Sequence, residues 1–210
     1  MESSTLDRAA TSGIRIVKGS PPVGAVLIGA VSGLAWAAGL RGMMAQVAGD
    51  DSQVHWDLTF AWLLLPGAIV GGLLGWAEHR RLHGMEAGRR WFAASPLIFA
   101  AVLFSDPSNP GGVLEDGVGG GAIALPVFGM LGGFALAGRG RRWTRCIAAV
   151  VPLSPIPIWA LVATDVGGAE MALDTPRGAW VAVYFFSFIA VLAFACAIPH
   201  RRPPTGRAQP

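Results

Sequence analysis

The sequence predicts an all-α protein, a six-helix transmembrane bundle with both termini on the cytoplasmic side. Three observations carry this. The 210-residue chain is 53% apolar and 14% charged, where soluble domains carry about 25% charged residues. Its charges fall between apolar runs, each close to the ~20 residues that cross a hydrocarbon core; a soluble core would interleave charge at helical period instead. The basic residues are also sorted. Fourteen of the sixteen Lys and Arg side chains lie in the N-terminal tail, the loops 78–90 and 139–145, and the tail after Pro199. The alternate segments keep only Arg41 and Arg177, with nine carboxylates. Basic loops mark the cytoplasmic side, so both ends lie inside and the number of spans is even.

The organisation that follows is a cytoplasmic tail at 1–21, a six-helix transmembrane domain at 22–199 and a second cytoplasmic tail at 200–210. Pro21-Pro22 suits a helix start, where a missing N–H costs nothing. Helix one is expected from Val23 to Leu40, helix two from Leu58 to Ala77, and helix three, the shortest, from Trp91 to Ser105. Helix four is expected from Val118 to Gly138, helix five from Cys146 to Thr164 and helix six from Ala179 to Pro199. Helix one follows basic residues and contains Ala35-Trp36-Ala37, as a signal peptide would, but its apolar run continues past that point and reads as a retained span. Trp76, Trp91 and Trp143 fall at the inner boundary and Trp56 and Trp180 at the outer one, where an amphipathic ring finds both phases.

The basic balance is that of cytoplasmic loops and does not call for nucleic acid. Arginine far outnumbers lysine and glycine and alanine abound, which suggests a high-GC bacterial genome and therefore a bacterial plasma membrane. Cys146 and Cys196 fall near cytoplasmic helix ends. They read as small packing residues, not a disulfide.

One order of residues occurs twice. Leu65-Pro66, Gly71-Gly72, Gly88-Arg89-Arg90-Trp91, Ser95-Pro96 and Ser105-Asp106 return as Leu125-Pro126, Gly132-Gly133, Gly140-Arg141-Arg142-Trp143, Ser154-Pro155 and Thr164-Asp165. The step from proline to closing aspartate is the same in both copies. This predicts a repeated hairpin, helices two and three recurring as helices four and five about an axis along the membrane normal. Glycine pairs are common in a chain with 29 glycines, and arginine followed by tryptophan suits any cytoplasmic boundary.

Small residues recur every four positions at Gly29, Gly33 and Ala37, at Gly67, Gly71 and Gly75, and at Gly129, Gly133 and Ala137. Lipid gives no hydrophobic drive for helix association, so such stripes mark close backbone packing, within the chain or in a homo-oligomer. Arg41 continues the first stripe near the outer boundary. An ionisable group at that depth is a functional candidate that needs a partner; Asp57, at the mouth of helix two, is the first choice, with Asp106 and Asp165 as alternatives. The opposing reading is an arginine snorkelling to the interface.

Prolines sit inside helices two to five. Each frees a carbonyl that can bind a cation or be satisfied again by neighbouring groups. His79 and His83 share a helix face, but arginines flank them and a third metal ligand is not evident. The basic loop around them suits anionic lipid headgroups. No nucleophile elbow, zinc-protease motif or phosphate loop occurs, so no catalytic residue, cofactor or metal is assigned.

Gly39-Leu40-Arg41-Gly42-Met43-Met44, His55-Trp56-Asp57 and the glycine-rich second helix together resemble uncharacterised polytopic membrane proteins of high-GC bacteria. In those proteins helix one ends in an arginine shortly before a Trp-Met pair, where this chain has Met43-Met44. The resemblance covers the first hairpin, implies no activity and implies a role for Arg41. The sequence thus leads to an integral membrane protein without evident catalytic machinery, acting through helix packing, partner proteins or lipid. The alternative is a small oligomeric channel or transporter built from kinked hairpins.

Overall fold

The structure, a computed structural model, describes residues 21–49, 52–85, 89–104, 118–137 and 140–203. The N-terminal tail, Asp106 with its loop, and the end of the C-terminal tail lie outside the described residues. The described residues form helices and connections with no strand among them. α1 is Val23–Ala48 and α2 is Trp56–Leu82. α3 joins an α-helical start, Arg89–Ala94, to a tighter 3-10 continuation, Ser95–Phe104. α4 is Val118–Ala137, and α5, Arg142–Gly167, is broken at Ser154. α6 is Pro176–Cys196, prolonged by a short turn, Ile198–His200. Four of these, α1, α2, α5 and α6, are long and apolar enough to cross a membrane.

α1 outruns its expected end at Leu40 by two turns. Arg41 to Ala48 contain no proline and several good helix formers, so nothing stops the helix until Gly49. There the backbone turns to φ +58° and the helix ends, a conformation glycine adopts without steric cost. Arg41 therefore lies within α1, not at its end. α2 begins with a wide, π-helical segment, Trp56–Leu64, in which the Leu65 N–H donates to the Phe60 carbonyl five residues back. Pro66 follows directly. In a regular α-helix its ring would meet the carbonyl four residues earlier, and the wider winding before it relieves that crowding.

The two Ser-Pro pairs explain how two of the later prolines are accommodated. Pro96 and Pro155 lack the N–H that would have bonded Phe92 and Val151, four residues back. Ser95 Oγ donates to the Phe92 carbonyl at 2.8 Å, and Ser154 Oγ donates to the Val151 carbonyl at 2.7 Å. Each serine thus engages the carbonyl that the next residue strands. The helix changes winding at Ser95 and breaks at Ser154, yet neither stranded carbonyl is left without a donor.

α1 and α2 meet along their glycines. A Cβ added at Gly29 would collide with the Gly71 carbonyl, and one at Gly71 with the Gly29 carbonyl. Gly33 faces the Gly67 carbonyl in the same way, and Gly75 faces that of Ala25. A Cβ at Gly67 would stand 2.5 Å from the Cβ of Ala37, which is itself completely buried. The contact is thus backbone on backbone, and dispersion between closely spaced main chains holds it. The outer faces are apolar too: Leu27, Ile28, Val31 and Leu161 are exposed. A soluble monomer avoids apolar surface of this extent.

α6 forms a second seam with α4. A Cβ at Gly133 would lie 2.5 Å from the Cys196 carbonyl carbon, and one at Gly132 would lie 2.7 Å from the Cβ of Ala193. Gly129 makes room for Leu192. Cys196 is buried in this seam and Cys146 is exposed. Trp36 of α1 ties the seams together. Its ring meets Phe99 of α3 and Phe188 of α6 edge-on, at 5.6 and 5.8 Å between centroids. Its indole N–H donates to the Phe188 carbonyl at 3.2 Å.

Adjacent glycines of α2 separate close packing from mere smallness. Gly72 has ordinary room: a Cβ there would sit 3.5 Å from Val26 Cγ1 and 3.7 Å from the Cβ of Ala30. Gly71→Ala is expected to destabilise the detergent-purified protein by about 1–3 kcal/mol, the usual cost of overpacking. Gly72→Ala should be neutral or slightly stabilising. Thermal unfolding of the two variants checks this, and equal effects would contradict the seam.

Candidate functional site

The polar chemistry gathers at the two ends of the bundle. At one end, Arg41 of α1 is half-buried. Its guanidinium donates to Ser52 Oγ at 3.0 Å and to the Gln53 carbonyl. Both partners lie in the segment that connects α1 to α2, so Arg41 fastens that connection to the end of α1. Asp57, at the start of α2, is exposed and makes no ion pair with Arg41 among the described residues. Asp165 is exposed on α5, and Asp106 lies outside the described residues. The other arginine of this end, Arg177, pairs with Glu170 at 2.5 Å and donates to the Gln46 carbonyl at 3.1 Å. It joins the start of α6 to the end of α1. Thr175 caps α6 by accepting from the Gly178 N–H at 3.0 Å, as hydroxyl residues do at helix starts.

At the opposite end, segments far apart in sequence converge. Arg81 of α2 grips Glu78 with two hydrogen bonds and also donates to the Arg202 carbonyl at 3.0 Å. Arg145 of α5 donates to the Ala135 carbonyl of α4 at 2.9 Å. Phe134 of α4 meets His200 edge-on. The His79 and His83 rings lie with centroids 4.1 Å apart and planes tilted by 32°, and His83 Nδ1 lies 2.8 Å from the His79 carbonyl. That geometry turns one imidazole onto its own helix. Among the described residues no three His, Cys, Asp or Glu side chains converge as metal ligands would.

A groove of about 640 Å³ runs between α2 and α3 at this same end, lined by Leu73, Trp76, Trp91, Phe92 and Ile98 with Arg80. That volume is within the range of small-molecule sites. Trp76 and Phe92 meet edge-on at 5.4 Å. The Arg80 guanidinium carbon lies 5.9 Å from the centre of each ring, close enough for cation–π attraction. Its Nε is buried and has no hydrogen-bond partner among the described residues. The sequence signal for this feature is Trp76 and Arg80, one helical turn apart, together with Trp91-Phe92 just after the basic loop. Only the pairing of α2 with α3 makes them one site.

Several hydroxyls within the helices are engaged with main-chain oxygen. Besides Ser95 and Ser154, Ser187 donates to the Tyr184 carbonyl at 2.6 Å. Tyr184 in turn donates across to the Gly39 carbonyl of α1 at 3.1 Å. The seam glycines, expected from their spacing to pack helices, lie against neighbouring helices of the same chain.

Compared with models of known protein families, with curated proteins and with solved structures, the chain matches none. The class the fold supports is a helical protein with several helices suited to a membrane.

Arg41 gives a direct test of this end of the bundle. Arg41→Ala should lower thermal stability by about 1 kcal/mol, the order of one hydrogen-bonding group. Adding Ser52→Ala to that variant should cost almost nothing more, because the shared bond is already gone. Asp57→Asn should add independently. A double-mutant cycle in which Asp57 couples to Arg41 and Ser52 does not would contradict this geometry.

Proposed function

We propose that the chain is an integral membrane protein of the bacterial plasma membrane with six spans and both termini inside. It has no evident catalytic machinery and acts through helix packing, partner proteins or lipid. The observation that carries this reading is the sorting of charge between the two ends. The basic segments around Arg81, Arg145 and Arg202 lie together at one end, and the two outward arginines are held at the other by Ser52, Gln53, Glu170 and Gln46. Such a division matches the positive-inside pattern.

The winding of α3 supports six spans over four. Its six α-helical and ten 3-10 residues rise ~1.5 and ~2.0 Å each, giving about 29 Å, close to the ~30 Å of a hydrocarbon core. A span that looks short in sequence is thus lengthened by tighter winding. α4, with 20 residues, reaches about the same length. The repeated hairpin is part of this proposal, supported by the identical serine-to-carbonyl bonds before Pro96 and Pro155. The bonded span hydroxyls, Ser95, Ser154, Tyr184 and Ser187, also favour a non-catalytic role, since their protons are spent on main-chain oxygen.

Cysteine labelling in whole cells tests the topology, with Cys146→Ser and Cys196→Ala as background. Ser52→Cys, Asn109→Cys and Ala172→Cys should react with an impermeant maleimide, and Ser3→Cys should react after lysis alone. Protection of Asn109→Cys would leave four spans, and labelling of Ser3→Cys in intact cells would reverse the orientation. Mass measurement in lipid nanodiscs adds the oligomeric state. A symmetric ring that passes ions in liposomes would favour the channel or transporter reading instead.

A further inference from the structure

We propose that the groove between α2 and α3 is a binding site for an anionic phospholipid, with an acyl chain along the apolar lining and the phosphate on Arg80. This rests on the reading above, which puts the basic end at the inner boundary of the membrane. The lining divides by chemistry. Leu73, Trp76, Trp91, Phe92, Ala94 and Ile98 are largely apolar, and the Ser95 hydroxyl beside them is already engaged with the Phe92 carbonyl, which leaves little polar handle for a soluble metabolite. Arg80 adds a cation to this apolar wall. A hydrocarbon chain joined to an anion is the ligand that satisfies both parts.

Arg80 differs from its neighbour. Arg81 is neutralised by Glu78 and also bonded to the Arg202 carbonyl. Among the described residues Arg80 has the faces of Trp76 and Phe92 against it, and its buried Nε finds no acceptor there. A guanidinium cannot shed its proton and offers donors in a planar fork that fits phosphate. A buried donor without an acceptor is costly, and a phosphate oxygen removes that cost while balancing the charge. The aromatic pair holds the guanidinium in place before the lipid arrives, which lowers the ordering cost of binding. Trp91, largely exposed at the rim, has the side chain that favours the boundary between headgroup and hydrocarbon.

Native mass spectrometry of the detergent-purified full chain tests the site, titrated with phosphatidylglycerol and with phosphatidylcholine of the same acyl chains. The wild type should retain phosphatidylglycerol in preference to phosphatidylcholine. Arg80→Gln should weaken that preference about ten- to a hundredfold, the range of a charge-assisted bond. Ala94→Phe, which fills the groove and leaves the charge, should remove the adduct, whereas Arg142→Gln, exposed and away from the groove, should retain it. Inorganic phosphate should not displace the lipid. Equal retention of both lipids, full retention by Arg80→Gln or Ala94→Phe, or displacement by phosphate alone would each overturn the proposal. The whole-cell labelling separates the two readings: a reversed orientation overturns the inner position while leaving Arg80-dependent lipid selectivity intact.

Discussion

Two helices immersed in hydrocarbon gain nothing from hiding apolar side chains, because the solvent is as apolar as they are. What α1 and α2 gain is proximity. Their glycines remove the side chains that would hold the axes apart, and the carbonyls of one helix come to rest against the Cα atoms of the other. The rest of the structure depends on this seam. It sets how near Trp36 comes to α3 and α6, and Trp36 uses that nearness to pack against Phe99 and Phe188 and to donate to a main-chain oxygen of α6. Widening the seam by a methyl group would be felt at every one of these contacts.

The second constraint is that a buried backbone must satisfy itself. Each Ser-Pro pair carries its own remedy, since the serine hydroxyl takes the carbonyl that the proline leaves without a donor. A hydroxyl that re-pairs a freed group is one reason prolines are tolerated in membrane helices. Here the same device permits two different outcomes: a change to 3-10 winding in α3, and a break in α5. At Pro96 and Pro155 the discontinuities are therefore not open cation sites by default, because the carbonyls these prolines strand are already in use.

Much of the fold was legible in the sequence, for particular reasons. Glycines four apart mark a helix face irrespective of what covers it, so the stripes were readable while their partners were not. Arginine placement reported the loops because charge is excluded from hydrocarbon. Helix ends were less readable. Leu40 looked terminal because Arg41 follows it, yet an arginine can remain helical when its head reaches Ser52 and Gln53. Asp57 looked like the partner of Arg41 because it opens helix two at the same boundary, but hydrogen bonding is decided by the path of the connection. The groove was hidden for a different reason. Trp76, Arg80 and Phe92 become one site only once α2 and α3 lie side by side, and no local pattern contains that information.

The central claim is that α1 and α2 touch along their glycine faces, and a disulfide measures this directly. A Cβ at Gly72 would stand 3.7 Å from the Cβ of Ala30, close to the ~3.8 Å of natural disulfides. With Cys146→Ser and Cys196→Ala as background, the double substitution Ala30→Cys with Gly72→Cys should oxidise within membranes and resist a thiol-reactive polymer that shifts reduced protein on a gel. The pair Ile28→Cys with Gly72→Cys, whose first site is exposed and lies about 200° around α1 from Ala30, should stay reactive. If the Ala30–Gly72 pair remains reduced under oxidation, or cross-links no better than the control, the two helices do not meet on this face and the account fails.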